Sequence, residues 1–165
     1  MGIEKVEEFY NGVIAIEVGN INDSKLAYGC FTTKQKGKSD GAYASLNFGM
    51  NTDDSEENVK ANFQLMKNLK MYCRSDFVGC KQVHSNEIID VKLDQRHEGI
   101  KILGEYDGMI TNNPYLTLFT YHADCLPIFF LDPVNRVVAL AHGGWKGILK
   151  NNGGKVLEKM VEAYN

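Results

Sequence analysis

The sequence predicts one domain of 165 residues that mixes helix and strand around a central sheet. Three observations carry this reading. Short apolar runs bounded by turn residues recur between Val13 and Ala141, as strands do. A run with acidic caps, 53–70, places apolar residues at helical spacing, and a second such run follows from Trp145 to Tyr164. With 44% hydrophobic and 24% charged residues, the composition is that of a globular chain able to bury one sizeable core. No internal repeat, low-complexity tract or linker divides it.

Taken in order, Val13 to Val18 and Leu26 to Thr32 read as strands of an opening hairpin, separated by the turn-rich Gly19-Asn20-Ile21-Asn22-Asp23-Ser24. From Thr33 to Asn51 the chain is rich in Gly, Ser, Lys and Asn and reads as a long loop, although Ser45-Leu46-Asn47-Phe48-Gly49 is too apolar for a disordered linker. Asp53-Asp54-Ser55-Glu56-Glu57 supplies caps and first-turn acids, and Val59, Phe63, Met66 and Leu69 or Lys70 form the apolar stripe of the helix behind them. Asp76 to Val83 is a strand that delivers His84, with Glu87 to Val91 as its continuation or partner. Lys92 to Glu105 is polar and reads as a loop. Asp107 to Thr111, Leu116 to Tyr121, Ile128 to Leu131 and Val137 to Ala141 are four further short strands, several too apolar to be exposed on both faces. The closing helix carries Leu149, Val156, Leu157, Met160, Val161 and Tyr164 at helical spacing, weakened in its middle by Gly153-Gly154.

Charge and cysteine usage narrow the functional classes. A net charge of -3 without a Lys/Arg block argues against a dedicated nucleic-acid or membrane surface, and no apolar run reaches the roughly 18 residues of a spanning helix. The acidic start Met1-Gly2-Ile3-Glu4-Lys5-Val6-Glu7-Glu8 is unlike a secretory signal, so a cytoplasmic location is expected. Cys30, Cys73, Cys80 and Cys125 show no CxxC spacing and read as free thiols or ligands.

The functional information concentrates in Tyr121-His122-Ala123-Asp124-Cys125-Leu126-Pro127 and Ala141-His142-Gly143-Gly144-Trp145-Lys146-Gly147. The strands between them, joined by the turn Asp132-Pro133-Val134-Asn135, would bring Cys125 and His142 together, and His84 ends another strand. Thiolate and imidazole suit a borderline-soft ion, and three protein ligands leave the fourth position of tetrahedral zinc open. The same residues could form a thiolate and imidazolium pair for nucleophilic catalysis, or simply occupy a core. The glycines around His142 allow close backbone approach, and a helix starting near Trp145 and Lys146 would present an amide-rich end to an anion. His97 reads as an exposed loop residue. His122 is expected in the core or behind the ligands rather than among them, Asp124 at a strand end or orienting a ligand, and Trp145 packed under the site. Lys34, Lys36 and Lys38 are either solvated or anion-binding.

Phe31-Thr32-Thr33-Lys34, Ala44-Ser45-Leu46-Asn47-Phe48-Gly49, Lys81-Gln82-Val83-His84, Tyr106-Asp107-Gly108-Met109-Ile110-Thr111, Ala123-Asp124-Cys125-Leu126-Pro127 and the segment 141–147 occur in one order. In that order they resemble the YfiH-like, laccase-domain or polyphenol oxidoreductase family over nearly the whole chain. The resemblance implies an α+β fold of layered mixed β-sheets with flanking helices, related to the catalytic domain of cytotoxic necrotizing factors. It implies zinc held by His84, Cys125 and His142, which would also be the catalytic residues. It further implies purine nucleoside phosphorylase activity on adenosine, inosine, guanosine or methylthioadenosine, with adenosine deamination as a side activity. Purine nucleosides and inorganic phosphate are then the partners, with Lys34, Asn47 and Lys146 as substrate contacts. Copper is disfavoured, because four histidines cannot furnish the several copper centres that the older laccase label requires.

Two departures accompany the resemblance. Lys34 stands where the family usually has Arg, and Lys36 where it has Gly, which removes a planar bidentate anion clamp. A GPxIGPCCYEV-like segment of the family is absent, so residues 1–165 are expected to be a single YfiH-like domain lacking the family's C-terminal portion. Its pocket is then expected to be incomplete, its phosphorolysis low or absent, and its open sheet edge protected by homodimerisation or in another way. The other readings are a metal-free cysteine hydrolase or deamidase using Cys125 and His142, and a non-catalytic remnant.

Overall fold

The computed structural model describes residues 5–9, 11–67, 76–92 and 99–164. They form two compact units, 1–74 and 75–165. The fold is α+β, with sheets of mixed direction and helices beside them. Among the described residues no helix is long and apolar enough to cross a membrane.

In the first unit β1 (Lys5–Glu8), β2 (Ile14–Glu17) and β3 (Cys30–Thr32) form an antiparallel sheet in the order β1-β2-β3. The segment expected to be a turn between β2 and β3 is instead a short helix, α1 (Gly19–Asp23), whose Ile21 is buried. The strand β1 has no apolar signature, since its residues are mostly exposed and it is held by pairing with β2 rather than by burial. Phe9, Val13, Ala15 and Leu46 make the core, with Tyr28, Phe48, Leu65 and Met66 packed against it.

The expected helix is α2 (Glu56–Lys67). Ser55 starts it, its hydroxyl accepting the Asn58 amide at 3.0 Å, and Glu56 pairs with Lys60 one turn on. Continuation to Leu69 or Lys70 lies outside the described residues, as do Cys73 and His97. Asn62 sits between Val59 and Phe63 on the buried stripe, where an apolar residue would be expected, and is fully buried. Its Oδ1 accepts the Lys38 amide at 2.7 Å, while its Nδ2 donates to Asn47 O at 2.7 Å and Ser39 Oγ at 2.9 Å. This one amide therefore ties down the Gly- and Ser-rich segment that has little regular structure beyond a 3-10 turn at Gly41–Tyr43.

The second unit opens with β4 (Asp76–Lys81) and β5 (Ile88–Asp90), followed by β6 (Ile100–Glu105), β7 (Gly108–Thr111), β8 (Leu116–Leu118), β9 (Leu126–Asp132) and β10 (Val137–Gly143). These strands form two sheets, β6-β4-β8, which is all parallel, and β5-β7-β10-β9, in which β5 is parallel to β7 and the rest antiparallel. So β5 pairs with β7 and not with β4, and β6 occupies part of the segment expected to be loop. Its Lys101, Ile102, Gly104 and Glu105 are exposed, which hides an edge strand from a pattern based on apolar residues. The hairpin between β9 and β10 turns at Asp132, whose carboxylate accepts the amides of Val134 and Asn135.

The closing helical region is two helices, α3 (Trp145–Leu149) and α4 (Asn152–Tyr164). The break is at Asn151, which adopts φ 59°, and not at Gly153-Gly154, which lie inside the first turns of α4. Val156 and Met160, one turn apart, pack α4 onto Ile110, Ala139 and Ala141. Leu149, Leu157 and Val161, expected on the same buried stripe, are exposed: the break takes Leu149 out of the helical phase of α4, and Leu157 and Val161 each follow a buried residue by one position, which turns them roughly 100° off the face that Val156 and Met160 bury. The Tyr164 hydroxyl donates to Asp90 Oδ1 at 2.7 Å and anchors the end of α4 to β5.

Candidate functional site

Cys125 immediately precedes β9, and His142 lies near the end of β10. In the hairpin register His142 faces Pro127 and Gly143 faces Leu126, so the two strands carry the thiol and the imidazole to the same end of one sheet. His84 arrives from the other sheet, three residues beyond the end of β4. The candidate ligand atoms of His84, Cys125 and His142 all lie within 4.8 Å of one another, with Cys125 Sγ 3.8 Å from His84 Nε2. The His84 and His142 rings meet edge to face with centroids 4.8 Å apart.

Two polar residues hold these loops. Gln82 donates from Nε2 to Tyr121 O at 2.8 Å and accepts the Tyr121 amide on Oε1 at 2.7 Å. Its side chain thus mimics a strand partner and joins the His84 loop to the loop that leads to Cys125. Asp107, fully buried before β7, accepts the successive amides of Val83, His84 and Ser85, the Ser85 hydroxyl, and His142 Nδ1 at 2.7 Å. Burial pushes its pKa up, but the hydrogen bonds from His142, from Ser85 and from Val83 outweigh burial and hold the carboxyl below the ordinary aspartate range. A carboxylate only accepts, so His142 carries its proton on Nδ1 and leaves Nε2 bare. His84 has φ 58°, a left-handed conformation unusual for a side-chain-bearing residue, and the Asp107 contacts run through it.

His122 stands close, its ring centroid 5.6 Å from that of His142, yet both of its nitrogens are engaged. A carbonyl can only accept, so Nδ1–H donates to Cys125 O at 3.0 Å, and Nε2 accepts from the Thr120 hydroxyl at 2.7 Å. Burial lowers the pKa of this imidazole, the bond to Cys125 raises it, and repulsion from His142 whenever that ring is protonated lowers it further, leaving it below the usual histidine value. It supports the loop rather than adding a fourth ligand.

The glycines of the His142 segment act by size. A Cβ on Gly144 would stand 2.4 Å from His84 Cδ2 and 3.2 Å from His142 Cε1, and a Cβ on Gly147 would stand 2.7 Å from Ser85 O. Their absence lets α3 lie against the His84 loop, where Asn86 Nδ2 donates to Lys150 O and Asn152 Nδ2 to His142 O. Trp145, by contrast, is 65% exposed and does not pack under the site, since the start of α3 turns it outward. Lys146 is exposed, with Nζ 5.5 Å from the Trp145 ring centroid. Because α3 has only five residues, its dipole is small. Asp124 is exposed.

Lys34 and Asn47 belong to the first unit. Lys34 is exposed and its carbonyl accepts the amides of Ser45 and Leu46. Asn47 is half-buried, donating to Asp54 Oδ2 at 2.9 Å and accepting the Gly49 amide. Cys80 is a core thiol of β4, its pKa pushed up to about 12 by burial and then by the charge of Asp107.

The trio fits a metal ion by its donor chemistry. Tetrahedral bonds of about 2.0 to 2.3 Å put neighbouring donors about 3.5 Å apart, against 3.8 Å for Cys125 and His84 and at most 4.8 Å within the trio, so small side-chain rotations would close it on an ion; one thiol with two imidazoles is a borderline-soft set that leaves a position open. Over residues 28–165 the chain matches the family described as multi-copper polyphenol oxidoreductase laccase. It belongs to that family.

Within the laccase family it is 33% identical, over 147 residues, to the purine nucleoside phosphorylase YlmD of Bacillus subtilis (strain 168), covering 87% of this chain and 52% of that protein. To the protein of the same name in Geobacillus stearothermophilus it is 34% identical over 120 residues, covering 70% and 44%. The solved structure of YlmD from Geobacillus stearothermophilus superimposes with a TM-score of 0.71 at 26% identity, over 97% of this chain and 59% of that one. The Bacillus licheniformis hypothetical protein YfiH does so with 0.70 at 27%, over 98% and 57%. The chain spans about half the length of the curated relatives it matches. Asp107 and Gln82 were not foreseen as functional residues. Both lie in motifs that the family resemblance had already singled out, and that is the signal that could have found them.

Proposed function

We propose that this chain is a zinc-dependent purine nucleoside phosphorylase, with adenosine deamination as a side activity. The observation that carries the reading is the convergence of two imidazoles and one thiol on a point with an open position, in a chain whose relatives are named purine nucleoside phosphorylases. His84, Cys125 and His142 would hold the ion, which when bound supplies Lewis acidity at that open position. Zinc is favoured over copper because the sequence has four histidines and His122 has both nitrogens committed. Asp107 keeps the bare Nε2 of His142 available, and Gln82 keeps the two loops in register.

Phosphorolysis also requires an anion to be positioned against the sugar carbon, and catalysis of this kind depends on orientation and charge. Lys34, Asn47 and Lys146 are the substrate contacts that the family resemblance supports, with Lys34 supplying charge without the bidentate geometry of Arg. The second reading is a metal-free cysteine hydrolase or deamidase using Cys125 and His142, favoured by the approach of their thiol and imidazole to within 4.8 Å.

The test is a phosphate-dependence assay on the zinc-loaded chain with inosine and adenosine. Turnover is expected to be slow, to yield free base and a sugar phosphate only when phosphate is present, and to vanish in Cys125→Ser. Lys34→Ala is expected to raise the phosphate concentration required. Base release that ignores phosphate, or none above the Cys125→Ser background, would refute the phosphorylase. Amide hydrolysis by the chelated protein would support the second reading instead.

A further inference from the structure

We infer that Asp107 is a positioning residue for both histidines of the trio, fixing His142 in the Nδ1–H tautomer and locking the backbone that presents His84. The inference rests on the metal reading above and concerns what sets the affinity of that site. The two carboxylate oxygens divide the work. Oδ1 accepts His142 Nδ1 at 2.7 Å and the His84 amide at 3.0 Å, so one atom touches both histidines. Oδ2 accepts the Ser85 amide at 2.7 Å, the Ser85 hydroxyl at 2.9 Å and the Val83 amide at 3.1 Å. The backbone of Asp107 is committed as well, its amide donating to Glu87 O at 3.0 Å and its carbonyl accepting the His142 amide at 2.7 Å.

This pattern exceeds what core packing needs. Three successive amides, Val83 to Ser85, converge on one buried carboxylate as an anion nest, and the middle one belongs to a residue held at φ 58°. Without the carboxylate that loop would have three amides to satisfy elsewhere, and His84 would have little reason to keep a left-handed backbone. The same carboxylate selects the His142 tautomer, and partners behind a ligating histidine commonly govern 10- to 100-fold in metal affinity, roughly. Asp107 thus couples a loop from one sheet to a strand of the other through one side chain.

Asp107→Asn separates this role from packing, because it preserves shape but turns one oxygen into a donor. In one orientation that donor faces His142 Nδ1–H and the His84 amide, and in the other it faces the amides of Val83 and Ser85. Zinc affinity is read by competition with a chelator in the wild-type chain and in Asp107→Asn. The expected result is a loss of about 10- to 100-fold in the variant. A second measurement needs no variant, namely long-range proton–nitrogen correlation spectra of the zinc-loaded wild type. There His142 should carry its proton on Nδ1 and bind the ion through Nε2. Unchanged affinity in folded Asp107→Asn, or a His142 bound through Nδ1, would overturn the inference. If the variant does not fold, the spectra decide alone. Should the wild type take up no zinc, the metal reading falls and this inference with it, whereas zinc uptake with unaltered variant affinity defeats only the role of Asp107.

Discussion

Gly144→Ala is expected to weaken metal binding by about 100-fold or more while leaving the protein folded. The backbone at Gly144 has φ -69° and ψ 151°, which any residue adopts, so alanine brings no conformational strain there. The cost lies in space. The new methyl would overlap the His84 ring, 2.4 Å from Cδ2 and 3.1 Å from Nε2, and crowd His142 Cε1 at 3.2 Å. His84 cannot simply withdraw, because its amide is held by Asp107 and its neighbours on both sides share that carboxylate. The ring must therefore rotate, and its nitrogen leaves the point on which the other two donors converge. Chelator competition with zinc, alongside thermal unfolding of the metal-free protein, measures the two effects separately. Affinity equal to wild type would show that the Gly144 gap does not shape the site.

Asn62→Ala is expected to lower the stability of the first unit by about 3 kcal/mol. The substitution removes a fully buried amide and leaves the Lys38 amide and Asn47 carbonyl without the partners they have at 2.7 Å. Unlike an ordinary large-to-small change, the penalty comes mainly from stranded polar groups, so Asn62→Leu, which matches the apolar stripe of α2, should not restore stability. Urea unfolding followed by far-ultraviolet circular dichroism reads the loss, and hydrogen exchange at the Lys38 amide localises it. Native-like exchange protection at Lys38 in the alanine variant would contradict the role given to Asn62.

Much of the site was legible in the chain because it depends on strand ends. The apolar runs flanking Asp132-Pro133-Val134-Asn135 identify the β9–β10 hairpin, and its antiparallel return sets His142 opposite Pro127, at the same end of the sheet as Cys125. His84 was legible for a similar reason, as the residue following an apolar strand. The supporting polar residues were not. Asp107 and Gln82 act through contacts 35 and 39 residues away, and nothing in local periodicity reports a carboxylate turned toward a distant loop. Elsewhere the apolar pattern misled where pairing or phase overrode it. The edge strand β6 is mostly exposed and is held by parallel pairing with β4, and the left-handed Asn151 resets the helical phase so that Leu149 faces solvent. Trp145 was expected beneath the site as the simplest role for the one tryptophan, but the start of α3 turns it outward into solvent.

The central claim is that His84, Cys125 and His142 share one metal ion, and the X-ray absorption fine structure of the zinc-loaded protein tests it most directly. The expected spectrum has one sulfur at about 2.3 Å and two imidazole nitrogens at about 2.0 to 2.1 Å, with one further light atom completing four-coordination. In Cys125→Ser the sulfur shell should disappear, leaving only nitrogen and oxygen neighbours. A wild-type spectrum without sulfur, with more than one sulfur, or with an all-oxygen shell would contradict the shared site.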